Sequence, residues 1–214
     1  HSIRRRQRQM CIRDRSVKVI IQVVRFFSDK NITHVENRLD PLDDMEIINT
    51  ELVLADMKTV ERSLEKNQKI LNANKPEGKV AESALTGLLA HLNEGLAARS
   101  FKRDVKQDDV IKNLFLLTDK PMIYVANVDD HSIDTDQLSK AKQIATNNLS
   151  SFVTINGKLE SEMADFDEEE KIIILEDYNL KETGLSTLIK EAYNTLGLQT
   201  FFTCGEMDCL LYTS

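Results

Sequence analysis

Apolar residues along this chain fall into two patterns. Short, nearly continuous runs stand at residues 19–27, 122–126 and 152–155, rich in β-branched side chains and bounded by polar residues. Runs of that length suit strands covered on both faces, as in a parallel sheet. The other pattern repeats at three- and four-residue steps. Val53, Met57, Val60, Leu64 and Leu71 recur between about residues 45 and 72, and Ala81, Leu85, Leu88, Leu89, Leu92 and Leu96 recur further on. Each set lays an apolar stripe along a helix. The first helix is expected to be capped by Asp43 or Asp44, and the second to end near Gly95. Residues 72–78 between them, Asn-Ala-Asn-Lys-Pro-Glu-Gly, read as a turn. The two helices should therefore fold back on each other as an antiparallel hairpin.

Three further helices are predicted at residues 109–115, at 137–147, and around Leu185, Leu188, Ile189, Ala192 and Leu196. Gln199-Thr-Phe-Phe-Thr203 starts one more strand. Acidic residues crowd between 159 and 177; Asp165, Asp167, Glu168, Glu169 and Glu170 read as a solvated helix start and not as a metal site. With the hairpin set aside, strand and helix alternate. That order predicts an α/β fold with a parallel sheet and right-handed crossovers.

Length and composition fit this picture. A chain of 214 residues can bury a sizeable core, and 41% hydrophobic with 29% charged residues is ordinary for a globular protein. No apolar run approaches the roughly 18 residues of a membrane span. Cys11, Cys204 and Cys209 show neither metal-ligand spacing nor an even-numbered framework, which points to a reducing cytoplasm.

Charge changes the picture at one end. Residues 1–15 hold six arginines against the single acid Asp14, so the rest of the chain carries 22 basic and 34 acidic side chains. A basic arm for RNA is one reading. The other is that residues 1–16 and 209–214 are not native. The opening stretch resembles translated library-adapter read-through, and Cys209-Leu-Leu-Tyr-Thr-Ser214 resembles its counterpart. Neither end is therefore expected to belong to the fold.

The candidate chemistry sits where two predicted strands end. In Lys120-Pro-Met-Ile-Tyr-Val-Ala-Asn-Val-Asp-Asp130 a buried-strand run delivers Asn127, Val128 and Asp130 into a loop. The strand at 152–155 runs out into Asn156-Gly-Lys158, where Gly157 lets backbone N–H groups approach a ligand closely. Loops at the carboxyl edge of an α/β sheet are where such folds bind nucleotides. Asn127 is suited to a purine's Hoogsteen edge. A carboxylate at Asp130 would match guanine's N1–H and N2–H₂ donors, whereas adenine offers it none. Taken alone, Asn-x-x-Asp after an apolar run is also common turn chemistry.

Several runs narrow the reading. Val23-Val-Arg-Phe-Phe27, Asn31-Ile-Thr-His-Val35, Asp40-Pro-Leu-Asp-Asp-Met-Glu-Ile-Ile-Asn-Thr-Glu-Leu52, Lys120-Pro-Met-Ile-Tyr-Val-Ala-Asn127 and Gly197-Leu-Gln-Thr-Phe-Phe-Thr203 resemble the YchF subfamily of Obg-like nucleotide hydrolases. The resemblance implies a Ras-like G domain with an inserted helical hairpin and a C-terminal TGS domain. On it, residues 17–39 and 118–197 correspond to the back half of the G domain, 40–117 to the insertion and 198–208 to the start of TGS. It further implies ATP or GTP as nucleotide, with ATP preferred in the family, Mg²⁺ as cofactor, the ribosome as partner, a cytoplasmic location and a link to oxidative stress. No membrane or direct DNA binding is expected. Asn127 and Val128 match the family's first base loop, and Asn156, Gly157 and Lys158 its second, although Ser or Cys followed by Ala is usual before that Lys. Asp130 stands where the family has Glu, which leaves ATP over GTP open. Asn37 stands where relatives carry Gly; Asn tolerates a left-handed backbone, so little effect is expected.

The chain contains no G-x-x-x-x-G-K-[ST]. That loop supplies the N–H groups and Lys around the phosphates and a Ser/Thr on Mg²⁺. No catalytic residue and no metal ligand is therefore expected here, only a base pocket. The alternative is a non-catalytic helical hairpin that binds other proteins.

Overall fold

The computed structural model describes residues 15–28, 40–71, 76–129, 135–204 and 209–213. Most of the basic arm, Asn37 and Asp130 lie outside them. The chain divides into two compact units, one built on residues 40–122 with 1–20 and 147–149, the other on 21–39, 123–146 and 150–214.

The first unit is helical. Helix α1 spans Pro41–Leu71 and α2 spans Pro76–Asn93. Both begin earlier than the apolar stripes suggest, because each opens on a proline whose fixed φ and missing N–H suit a first helical position. The cap of α1 is Asp40, whose Oδ1 accepts from the Asp43 amide at 3.2 Å. Asp43 and Asp44, expected as caps, instead occupy the first turn, where the helix dipole favours acids. Likewise Pro76 and Gly78, read as turn, are helical. Only four residues separate the helices, so α2 must double back; near that link the buried Asn67 side chain donates to the Gly78 carbonyl at 2.9 Å.

The seam between the two helices is the core. Val53 and Val60 meet Leu85, Leu88 and Leu92, and Ala98, Ile111 and Leu116 close the cluster, with Met57, Leu64 and Leu89 partly buried against it. Leu96 lies past the end of α2 and is exposed, after Gly95 turns the chain at φ +80°. Helix α3 spans Val105–Lys112 and not 109–115. Asp104 forms a capping box with Gln107, and that sets the start four residues earlier.

One polar group lies in this apolar unit without exposure. Asp56 of α1 accepts from the amides of Leu117 at 2.9 Å and Thr118 at 2.6 Å, and from the Thr118 hydroxyl at 2.8 Å. Arg15 approaches it at 3.5 Å and also donates to Thr59 Oγ1 and the Phe115 carbonyl. Arg15, within the stretch set aside as non-native, is thus packed against this unit. Arg99 adds bonds to the carbonyls of Thr118 and Lys120. Together these side chains hold the turn just ahead of the next strand.

The second unit holds the sheet. Strands β1 (Ile20–Arg25), β2 (Met122–Asn127) and β3 (Ser151–Ile155) stand in the order β1-β2-β3. β2 and β3 are parallel, with Ile123 opposite Ser151 and Asn127 opposite Ile155. β1 runs the same way: Ile20 donates to the Pro121 carbonyl and Phe26 to that of Asn127. The central strand is β2, buried from Met122 to Ala126. Among the described residues β1, expected to be covered on both faces, has a neighbouring strand on one side only. Val24 is buried, but Ile21 and Val23 face outward and Val23 is 65% exposed.

Helix α4 (Thr135–Asn147) buries Ala141 and Ala145. After β3 the residues read as a turn form α5 (Gly157–Met163), because Asn156 caps it. Helix α6 (Glu168–Asp177) starts on a capping box at Asp167, and its first-turn acids are solvated as expected. Helix α7 (Gly184–Thr195) lies along β3. Ser151 and Thr195 hydroxyls meet at one end of that pair, and Gly184 meets Ile155 at the other. Its expected apolar stripe is not buried among the described residues: Leu185 and Ile189 are exposed. Beyond it, β4 (Thr200–Cys204) pairs antiparallel with β5 (Cys209–Thr213), so most of the second stretch set aside as non-native forms a strand.

Candidate functional site

The parallel register that sets Asn127 opposite Ile155 sends two chain segments out of the same sheet edge. The ladder continues one step further, since the Val128 amide donates to the Ile155 carbonyl at 2.9 Å. The Asn127 side chain then crosses to the second segment: its Oδ1 accepts from the Gly157 amide at 3.0 Å. A methyl group at position 157 would lie 3.0 Å from that same oxygen. Gly is therefore the side chain that lets the backbone approach Asn127 without displacing it.

Asn156 has its own task. Its Oδ1 accepts from the amides of Lys158 and Leu159, both at 3.1 Å, and so satisfies two of the free donors at the start of α5. Lys158 extends into solvent with its side chain 79% exposed, and Glu162 is 3.9 Å from its ammonium. At that distance and exposure the pair is weak and leaves the Lys stem movable.

A third segment meets the second. The Gly184 amide donates to Glu160 Oε1 at 2.5 Å, while Thr183 caps the same helix by accepting from the Ser186 amide. A methyl group at 184 would come within 3.0 Å of the Ile155 side chain and 3.2 Å of Glu160 Oε1. The lead-in to α7 is also held by an ion pair between Lys190 and Glu182, and the Lys190 hydrogen bond holds the Glu182 carboxyl below the usual range.

Of the six residues expected to read a base, the fold brings together Asn127, Val128, Asn156, Gly157 and Lys158; Asp130 lies outside the described residues. Their parts differ from the expectation. Val128 is buried and its amide is engaged, so it ties the two segments and presents no open side chain. Asn156 shapes the helix start. The groups left for a ligand are Asn127 Nδ2, whose hydrogens find no acceptor among the described residues, and the Lys158 stem and ammonium. An amide donor beside a movable aliphatic stem suits the acceptor edge and the face of a purine. Sequence reasoning missed Glu160, because nothing local links it to a glycine 24 positions on.

Among the described residues a second candidate arrangement is already committed to structural contacts. His91 Nε2 lies 2.8 Å from Ser100 Oγ, a spacing seen in nucleophilic pairs. However, Ser100 donates to the Ala97 carbonyl at 2.8 Å, and the same ring nitrogen stands 3.2 Å from that carbonyl. Nε2 beside a carbonyl serves as a donor, so it does not act as a base toward Ser100. Among the described residues no three His, Cys, Asp or Glu side chains are grouped to hold a metal. The Mg²⁺ implied by the resemblance has no ligand set among them. No helix among the described residues is long and apolar enough to cross a membrane.

No protein-family model matches the chain. It is 38% identical over 203 residues to the "Ribosome-binding ATPase YchF" of Bacillus subtilis (strain 168), covering 93% of this chain and 56% of that relative. It is 36% identical over 200 residues to the protein of the same name from Haemophilus influenzae, covering 93% and 55%. Among solved structures, the Schizosaccharomyces pombe YchF GTPase matches with a TM-score of 0.81 and 30% identity, over 94% of this chain and 56% of that one. The chain thus spans about half the length of the curated relatives it matches. The relatives' names differ over the nucleotide: the bacterial proteins are called ATPases and the fission-yeast protein a GTPase.

Proposed function

Since the chain belongs to the YchF/Obg-like family and has the α/β fold of its G domain, we propose that the Asn127–Gly157 corner is the purine-base pocket of a ribosome-associated nucleotide hydrolase. What supports this above all is the 3.0 Å bond from the Gly157 amide to Asn127 Oδ1. It spends the amide oxygen on joining the two loops and leaves the NH₂ group to meet the base. In this reading Asn127 donates to the purine's N7, the Lys158 stem covers its face, and Val128, Asn156 and Gly157 hold the frame. ATP is the favoured nucleotide by the bacterial relatives' names; GTP is the alternative, and Asp130 decides between them. The ribosome is the partner, the cytoplasm the location, and Mg²⁺ comes with the phosphates. Redox responsiveness belongs to the same proposal. Residues 17–39 and 118–197 form the G-domain part, 40–117 the helical insertion and 198–208 the opening of TGS.

Titrating the chain with adenosine and guanosine, followed by backbone amide NMR, tests the pocket. Shifts are expected at Asn127, Gly157 and Lys158. Asn127→Ala removes both the tie and the donor, so binding should weaken about tenfold or more. If neither nucleoside shifts these amides at millimolar concentration, the pocket is refuted and a helical interaction module remains. Hydrolysis is a separate matter. The 214 residues carry no phosphate-binding G-x-x-x-x-G-K-[ST], so the chain by itself should release no phosphate from ATP or GTP above the uncatalysed rate. Multiple turnover in a phosphate-release assay would contradict this.

A further inference from the structure

We propose that Glu160 is a positioning residue for the second base loop, a role that rests on the base-pocket reading. The loop at residues 156–158 is held from two sides. On one, Asn127 Oδ1 takes the Gly157 amide. On the other, α5 begins immediately, with the Glu160 amide bonded to the Asn156 carbonyl at 3.0 Å. The Glu160 carboxylate then reaches the Gly184 amide at 2.5 Å. One turn of α5 therefore links the pocket wall to the start of α7.

Three features make this link specific. Gly184 opens α7, where the amides have no partner within the helix and the dipole favours a negative group. Thr183, the cap residue, accepts from Ser186, so Glu160 supplies what Gly184 needs. The absence of a Cβ at 184 is what allows the contact, since a methyl there would press on both Ile155, the last residue of β3, and Glu160 itself. The carboxylate thereby fixes the distance between the strand end, the loop and α7. Loss of the acceptor frees α5 to tilt, and the Gly157 amide then meets Asn127 for less of the time.

Glu160→Ala and Glu160→Gln separate positioning from general stability, because glutamine keeps an acceptor oxygen at the same reach. Amide hydrogen exchange at Gly157 reads the loop without any ligand. It should quicken about tenfold in Glu160→Ala and stay within about twofold of wild type in Glu160→Gln. Adenosine binding should follow the same order, about three- to tenfold weaker for alanine and restored by glutamine. Unchanged exchange at Gly157 in Glu160→Ala, or a glutamine variant as impaired as alanine, overturns the proposal. Accelerated exchange in a chain whose wild type binds neither nucleoside would instead refute the base pocket and leave the clamp standing.

Discussion

Replacing Asp56 with alanine is expected to cost about 3 kcal/mol of folding stability, read as a lower urea midpoint at unchanged slope. The carboxylate has no exposure and accepts three hydrogen bonds, from the amides of Leu117 and Thr118 and from the Thr118 hydroxyl. Alanine would leave all three donors without that acceptor in a site that water does not reach. A loss below about 1 kcal/mol would mean that the turn at 117–118 finds other partners.

The same residue predicts a pH dependence. Burial pushes the Asp56 carboxyl above its ordinary 3.8, and the Thr118 and Leu117 donors and Arg15 only partly offset it. A folded value above the unfolded one means that the fold favours the protonated form. That contribution is complete below the unfolded value and is lost as pH rises through the folded value. The alanine variant lacks the slope. Its deficit relative to wild type should therefore be larger near about pH 4 than near about pH 7, and a deficit that grows toward neutrality would contradict burial as the dominant influence.

Leu88→Ala is expected to destabilise the helical unit by about 3 kcal/mol, within the range for fully buried leucines. Leu88 has no exposure and sits between Leu85 and Leu92 against Val53 and Val60. The 18 residues of α2 gain little from helix propensity alone, so this seam carries them. Leu89, next in the chain and only partly buried, supplies the control: Leu89→Ala should cost about 1 kcal/mol. Thermal or urea unfolding that ranks the two equally would show that the core does not lie where the packing puts it. Leu88→Met keeps the volume and should cost less than about 1.5 kcal/mol.

Asp56 carries a signal legible in the sequence. It falls three residues after Val53 and four before Val60, on the apolar stripe of α1, where an acid must find partners. Its acceptor role could not be read, because those partners lie 61 and 62 residues away. Helix starts lie ahead of the apolar stripes for a different reason. Asp40 and Asp104 cap α1 and α3, and Pro41 and Pro76 open α1 and α2, whereas the stripes report only where the packed face begins. The loop pair at Asn127 and Gly157 was legible as two strand ends, and its bond was not.

What the sequence determined by itself is local: two long stripes at helical period, a continuous apolar run at 122–126 and an asparagine directly after it. Period and composition act over a few residues, so they are written in the chain wherever it goes. Only the tertiary structure decided which strand lies inside. The run at 19–27 and the run at 122–126 are both mainly apolar, yet among the described residues β1 has a neighbour on one side only, with Val23 exposed, and β2 is buried from Met122 to Ala126. It decided as well that Asn127, Gly157, Glu160 and Gly184 meet in succession. Those contacts depend on parallel register and on backbone approach between segments about 24 to 30 residues apart, and such distances leave no trace in local spacing.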